Sequence, residues 1–273
     1  PTPAMAGWVG YPLELDDRLR LIKAAGFQSV LLWWAVESAY EPPVPLKMET
    51  AAKHGLAVEN AHLQFANMNT LWEDGYEGEH YLSELCGLVA EAGVYGVKTL
   101  VVHLTRKKDP PPFSELGFSR FLRLCEAADR ANADLAFENL RAPQYLYEFM
   151  RRVDSPRVGV CFDAGHNHVF CPERSILRDF SGRIKAVHLH DNFGDLDAHN
   201  IPGDGTIDWN ALRSDLIASV YTGAWSLEIE HVGTSEFGKS LLSKENDPYY
   251  GMDPEEYLAR AFSAHQKLIK GEL

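Results

Sequence analysis

Short runs of β-branched and aromatic residues alternate with amphipathic stretches along the whole chain, and this alternation restricts the fold more than any other feature. Strands are predicted at Ala6–Tyr11, Phe27–Trp34, Ala57–Leu63, Val97–Leu104, Asp134–Leu140, Val158–Asp163, Ile184–His190 and Trp225–Glu230. Helices are predicted between and after them, at Asp16–Ala25, Leu46–His54, Glu79–Ala92, Ser114–Asn132, Pro143–Val153, Arg174–Phe180, Asp208–Val220 and Pro254–Lys270. Glycine stops such as Ala25-Gly26 and Ala92-Gly93 end several of them. Strict alternation means a parallel sheet, and eight units in about 250 residues match a closed barrel. The expected class is therefore α/β, a single (β/α)8 TIM barrel over residues 1–273, with no linker dividing it. An open doubly wound sheet is the runner-up, but no glycine-rich turn follows the first strand.

Composition narrows the partners. The chain has 39 Asp and Glu against 26 Lys and Arg, a net charge of −13. Such a surface repels a phosphate backbone and an anionic membrane, so nucleic acid and membrane are not expected partners. The longest apolar run, Val30 to Val36, is too short to span a bilayer. Residues 1–10 lack a secretory pattern, and Pro1–Ala4 read as a remnant of expression preceding a native Met5. Cys86, Cys125, Cys161 and Cys171 form no CxxC pair and read as reduced thiols of a cytoplasmic protein.

In a parallel barrel the chemistry sits at the carboxyl ends of the strands. From the third strand onward those ends carry His62, His103, Glu138, Asp163, His190 and Glu228, all of them able to ligate metal. A strand Glu such as Glu138 is costly to bury unless it is paired or metal-bound. The seventh strand reads Val187-His188-Leu189-His190, so period-2 alternation turns both histidines inward. His190 is expected to be the ligand, with His188 one layer down as a core imidazole or substrate contact. Asp197 and His199 follow within reach of His190. The sixth strand ends Asp163-Ala164-Gly165-His166, where Gly165 is expected to let the chain fold back; a helix cap at Asp163 is the competing reading. On the eighth strand Glu228 is preferred, with Glu230 as alternative.

Glu138-Asn139-Leu140, Phe162-Asp163-Ala164-Gly165-His166, His188-Leu189-His190-Asp191-Asn192 and Pro202-Gly203-Asp204-Gly205-Thr206-Ile207-Asp208-Trp209 together resemble the xylose isomerase-like TIM barrels. That superfamily holds sugar phosphate isomerases and epimerases and the endonuclease IV type of abasic-site nuclease. The epimerase branch implies one divalent ion on Glu138, Asp163, His190 and Glu228. There the two glutamates exchange a proton with the sugar carbon through an enediolate, and His166 contacts substrate oxygen. That branch also has an Arg after the seventh strand, where this chain has Phe193-Gly194-Asp195-Leu196-Asp197. The nuclease branch implies three zinc ions on His62, His103, Glu138, Asp163, His166, His190, Asp197, His199 and Glu228.

Other signals are weaker. Phe65 and Trp72 leave the third strand at the catalytic end and either wall a substrate pocket or pack on the rim; Trp33, Trp34, Glu37 and Arg106 share that ambiguity. Arg106 would hold a phosphate or carboxylate, with a surface role as the alternative. Gly233 to Ser240 fits GxxxxGKS, but too little helix follows it, so a chance match is expected, with Lys239 left as a possible anion contact. The expected function is a metal-dependent (zinc or manganese, one to three ions) isomerase or epimerase of a small carbohydrate or sugar phosphate. The alternative is a multinuclear zinc hydrolase of a small phosphoester. Oligomeric state is left open.

Overall fold

The computed structural model describes residues 1–35, 42–231 and 247–273; Glu37, the Gly233–Ser240 motif and Lys239 lie outside them. Eight parallel strands close into a barrel in sequence order. They are β1 (Pro3–Ala6), β2 (Ser29–Trp34), β3 (Ala57–Leu63), β4 (Thr99–Val102), β5 (Asp134–Glu138), β6 (Val158–Asp163), β7 (Ile184–Leu189) and β8 (Trp225–Leu227). β8 pairs back onto β1 through Ala4–Ser226 and Met5–Leu227.

The helices around the barrel are α1 (Leu15–Ala25), α2 (Val44–Lys53), α3 (Tyr76–Val94), α4 (Glu115–Arg130), α5 (Pro143–Arg152), α6 (Ala164–Phe170), α7 (Ile176–Asp179), α8 (Trp209–Ala218) and α9 (Pro254–Lys270). Local chemistry sets several boundaries. Ser114, Asp208 and Asp253 each accept a backbone N–H from the first turn of α4, α8 and α9, and Gly26 and Gly271 close α1 and α9 in the left-handed conformation.

Several boundaries differ from expectation. The first strand runs Pro3–Ala6 and ends where it was expected to begin, so residues set aside as a remnant help to close the barrel. After Ala6 the chain runs close to the backbone of His231; a Cβ on Gly10 (φ +78) would lie 2.5 Å from its carbonyl oxygen. β4 and β8 are short, which leaves His103 and Glu228 on the first residue past each strand. Finally, α6 starts directly after β6, and the helix expected at Arg174–Phe180 is reduced to the single turn of α7.

The main apolar core fills the space between barrel and helices. A separate small cluster, Val101, Ala136, Cys161 and Ala186, lies inside the barrel. Two residues further along the same strands, on the same inward face, stand His103, Glu138, Asp163 and His188. The barrel interior therefore changes from apolar to ligand-type within one repeat of the pleat. All four cysteines are unpaired, and no helix among the described residues is long and apolar enough to cross a membrane.

Candidate functional site

The imidazole and carboxylate donors form three groups at the carboxyl end of the barrel, the atoms of each within 4.8 Å of one another: His62, His103 and Glu138; Glu138, Asp163, His188 and Glu228; and His166, His190, Asp197 and His199; a further set joins the Cys161 sulfur to Glu138 and His188. Glu138 belongs to the first two and to the Cys161 set. Its Oε2 faces His103 Nε2 at 2.7 Å and His62 Nε2 at 3.3 Å, and its Oε1 faces His188 Nδ1 at 3.1 Å. On its other side His188 Nδ1 lies 3.0 Å from Glu228 Oε2. In the loop group, His166 Nε2 is 3.1 Å from Asp197 Oδ2, and His199 Nε2 is 3.6 Å from Asp197 Oδ1.

All nine residues expected from the sequence converge here, and His188 makes a tenth. The four-residue group forms with His188 in the place expected for His190. The strand period explains this: His188 is two residues beyond Ala186, as Glu138 is beyond Ala136 and Asp163 beyond Cys161. His190 is two residues further, past the end of β7, and falls among the loop donors. Its ring stacks on His199 at 4.0 Å between centroids and approaches Asp163 Oδ1 at 3.0 Å. Glu228 joins the four-residue group, whereas Glu230 donates its backbone N–H to His199 O and joins none of the three.

Asp163 serves two ends. It caps α6 by accepting the His166 N–H at 2.6 Å, and it takes its place in the four-residue group. Gly165 does not fold the chain back, because it lies in the first turn of α6. It is small because a Cβ there would meet His190 Cε1 at 1.9 Å.

The backbone orients several rings. His62 Nδ1 donates to Leu63 O at 2.8 Å and His199 Nδ1 to Glu228 O at 2.6 Å, which turns each Nε2 towards the cluster. The loop bearing Asp197 and His199 is latched by Asp191, a residue the sequence reading did not single out. Its buried carboxylate accepts from Asn192 N, Gly203 N, Ile207 N and Trp209 Nε1, at 2.7 to 3.2 Å. The Gly-Asp-Gly-Thr-Ile-Asp-Trp segment is thus largely the partner of one aspartate. A Cβ on Gly205 would sit 2.3 Å from Asp191 Oδ1.

Charge in this buried site is balanced by protons. Burial opposes ionisation of Glu138, but the hydrogen bonds of His103, His188 and His62 hold it well below the usual carboxylate range. Glu228 is held to about 2 against burial, mainly by His188. Burial opposes charge on His188 too, and the Cys161 sulfur and the Glu228 and Glu138 carboxylates outweigh it. His199 is likewise raised to about 9 despite burial, by Asp197, Glu228 and Asp163. His103 moves the other way, kept neutral chiefly by burial.

The donor set fits divalent metal. Imidazole nitrogens and carboxylate oxygens suit zinc or manganese. Among the described residues the buried His166 Nδ1 and Asp197 Oδ1 have no hydrogen-bond partner, a costly condition that coordination would relieve.

Above the donors opens a pocket of about 240 Å³, walled by Phe65, Leu140 and Phe170, with Arg106, Lys107 and Arg141 at its edge. Phe65 stacks on His103 at 4.3 Å. Trp72 does not reach the pocket. It is buried against Phe113, Phe121 and Tyr145 and donates its indole N–H to Leu104 O. Trp33 stacks on His62 at 5.3 Å, whereas Trp34 is buried and donates to Leu88 O. Arg106 lines the pocket, with Nη1 donating to Ala66 O.

The sequence pattern of the xylose isomerase-like TIM barrel family matches residues 19–259. An uncharacterized protein, y4fM of Sinorhizobium fredii, is 39% identical over 97 residues; the alignment covers 33% of this chain and 31% of y4fM, so it spans about a third of each. Among solved structures, D-psicose 3-epimerase with D-tagatose from Clostridium cellulolyticum H10 superposes with TM-score 0.78 at 15% identity, covering 100% of this chain and 99% of that one. The IOLI protein with a bound zinc atom gives TM-score 0.74 at 17% identity, covering 100% and 99%. At these identities the superpositions speak to the fold, which the family match also covers. The chain belongs to the xylose isomerase-like TIM barrel family.

Proposed function

We propose that this protein is a metal-dependent isomerase or epimerase of a small carbohydrate. The observation that carries the reading is the pair Glu138 and Glu228, which approach His188 Nδ1 at 3.1 and 3.0 Å and both line the pocket. Two carboxylates at one pocket floor can take a proton from a carbon next to a carbonyl and return one to it or its neighbour. Asp163 and His188 complete a four-donor set with them. A divalent ion held there would polarise substrate oxygens as a Lewis acid. Phe65, Phe170 and His166 line the pocket; the two rings would shield the reacting carbon from water, and the imidazole would contact a substrate oxygen. The pocket is smaller than the roughly 300 Å³ and upward typical of drug-sized ligands, which suits a monosaccharide.

A second reading is favoured by one specific observation: the central group is flanked by His62 and His103 on one side and by His166, His190, Asp197 and His199 on the other. That many donors would serve a multinuclear hydrolase of a small phosphoester. One experiment separates the two. Metal-loaded protein is incubated in D2O with a panel of ketoses and aldoses, and in parallel with p-nitrophenyl and bis-p-nitrophenyl phosphate. The proposal expects deuterium at the carbon next to the carbonyl, lost in Glu228→Gln. Phosphoester cleavage without sugar exchange would replace it with the second reading.

A further inference from the structure

The pocket has a polarity that the proton-transfer chemistry does not use. Its buried floor carries Glu138 and Glu228 among their histidines, whereas the exposed residues of its lining, among those described, are Arg106, Lys107 and Arg141, with no carboxylate. This is unusual in a chain of net charge −13, where arginines commonly sit on carboxylates: Arg120 on Glu79, Arg152 on Glu115, Arg178 on Asp215 and Arg260 on Asp204. Lys107 and Arg141 make no ion pair among the described residues. Arg141 is exposed yet held in place, its guanidinium lying 4.2 Å over the Phe170 ring on the pocket wall. The Arg106 guanidinium donates one hydrogen bond, to Ala66 O, and lies 5.8 Å from the Phe65 ring. Three cations therefore line one small cavity, and among the described residues two of them have no anionic partner.

We infer that the substrate carries an oxyanion, a phosphate ester or a carboxylate, at the end remote from the reacting carbon, and that Lys107 and Arg141 grip it at the pocket edge while the neutral carbonyl end faces the donors below. The overall field of the molecule repels anions, so recognition has to be local, and a planar guanidinium braced on an aromatic ring suits a tetrahedral or planar oxyanion. Lys107 and Arg141 are exposed and stand apart from the buried donors, which places the anionic end of the substrate at the edge. This deepens the proposed function and rests on reading the cavity as the substrate pocket.

The test uses three sugars that differ at one carbon: D-fructose, D-fructose 6-phosphate and D-fructuronate. Their affinities for the metal-containing protein are measured by calorimetry in the wild type and in the Lys107→Ala/Arg141→Ala double variant. Both residues are exposed, and circular dichroism confirms that the variant is folded. The expected result is about tenfold tighter binding of an anionic sugar than of D-fructose, equivalent to about 1.4 kcal/mol. That ratio should fall towards one in the double variant and shrink with added salt. Preference for the ester alone identifies phosphate, and preference for fructuronate alone identifies carboxylate. Equal binding of all three, no binding of any, or a ratio that survives in the double variant overturns the inference. Deuterium exchange is read separately. Failure of exchange with the binding ratio intact removes proton transfer and leaves the anion grip, and the opposite pattern removes only the grip.

Discussion

Replacing Gly165 by alanine isolates the contact that seats His190. The glycine lies in the first turn of α6 and needs no special backbone conformation, so helix propensity alone would favour alanine by up to about 1 kcal/mol. Space decides otherwise. The new Cβ would meet His190 at 1.9 Å from Cε1 and 2.3 Å from Nδ1, so reaching a 3.4 Å contact requires the ring to shift by about 1.5 Å. His190 is fully buried, approaches Asp163 at 3.0 Å and stacks on His199 at 4.0 Å, and it cannot make that move and keep either contact. Overpacking costs about 1–3 kcal/mol, and losing a hydrogen bond to a charged group about 1.5–3 kcal/mol. Set against the propensity gain, a net loss of about 2–4 kcal/mol is expected, which lowers Tm by roughly 5–15 °C for a domain of this size. Thermal melts of chelator-treated wild type, Gly165→Ala, His190→Ala and the double variant complete a cycle. In the His190→Ala background the glycine replacement should cost less than about 0.5 kcal/mol. An equal cost in both backgrounds would show that the His190 ring is not what the glycine accommodates.

Further outcomes follow from the same structure. Asp191→Asn turns an amide towards backbone and indole donors, so about 1–3 kcal/mol should be lost and the 192–208 segment should become more susceptible to limited proteolysis; an unchanged cleavage pattern would remove Asp191 as the latch. Burial lowers His265 to about 4, against its hydrogen bond to Trp225 O, so folding favours the neutral ring. Its contribution to stability is therefore complete above about pH 6.5 and is lost as pH falls towards 4, and a chemical-denaturation pH series should lose that dependence in His265→Gln. His199 is raised to about 9 and His166 and His188 are raised as well, and a metal ligand must give up its proton. Metal uptake at pH 7 should thus release protons into weak buffer and tighten as pH rises towards 9, and calorimetry in buffers of differing ionisation enthalpy would detect an absence of release.

Much of this was legible in the sequence, for identifiable reasons. Barrel closure follows from eight alternating segments, and the donors stand out because His103, Glu138 and Asp163 interrupt strands that are otherwise apolar. The exchange between His188 and His190 was legible in principle. Counting in steps of two from Ala136, Cys161 and Ala186 places Glu138, Asp163 and His188 together, but only once those three small residues are known to share one interior cluster. The loop side was less accessible. Asp191 acts through partners 1 to 18 residues away, and nothing in its own neighbourhood announces four donors. Gly165 is small because of a ring 25 residues later in the chain. Trp72 and Phe65 leave the same strand, yet one packs among α4 and α5 aromatics and the other reaches the pocket, a distinction set by the fold of the intervening turn. Arg141 follows a strand end like many surface arginines, and only its position over Phe170 marks it.

Metal content tests the central claim most directly. Protein purified without chelator should carry about one or more equivalents of zinc or manganese by inductively coupled plasma mass spectrometry. Glu138→Gln, which weakens the residue shared by three donor groups, should lose most of it while remaining folded. Wild-type protein that is folded, binds no divalent metal at micromolar concentrations, and still turns over a sugar would contradict the account.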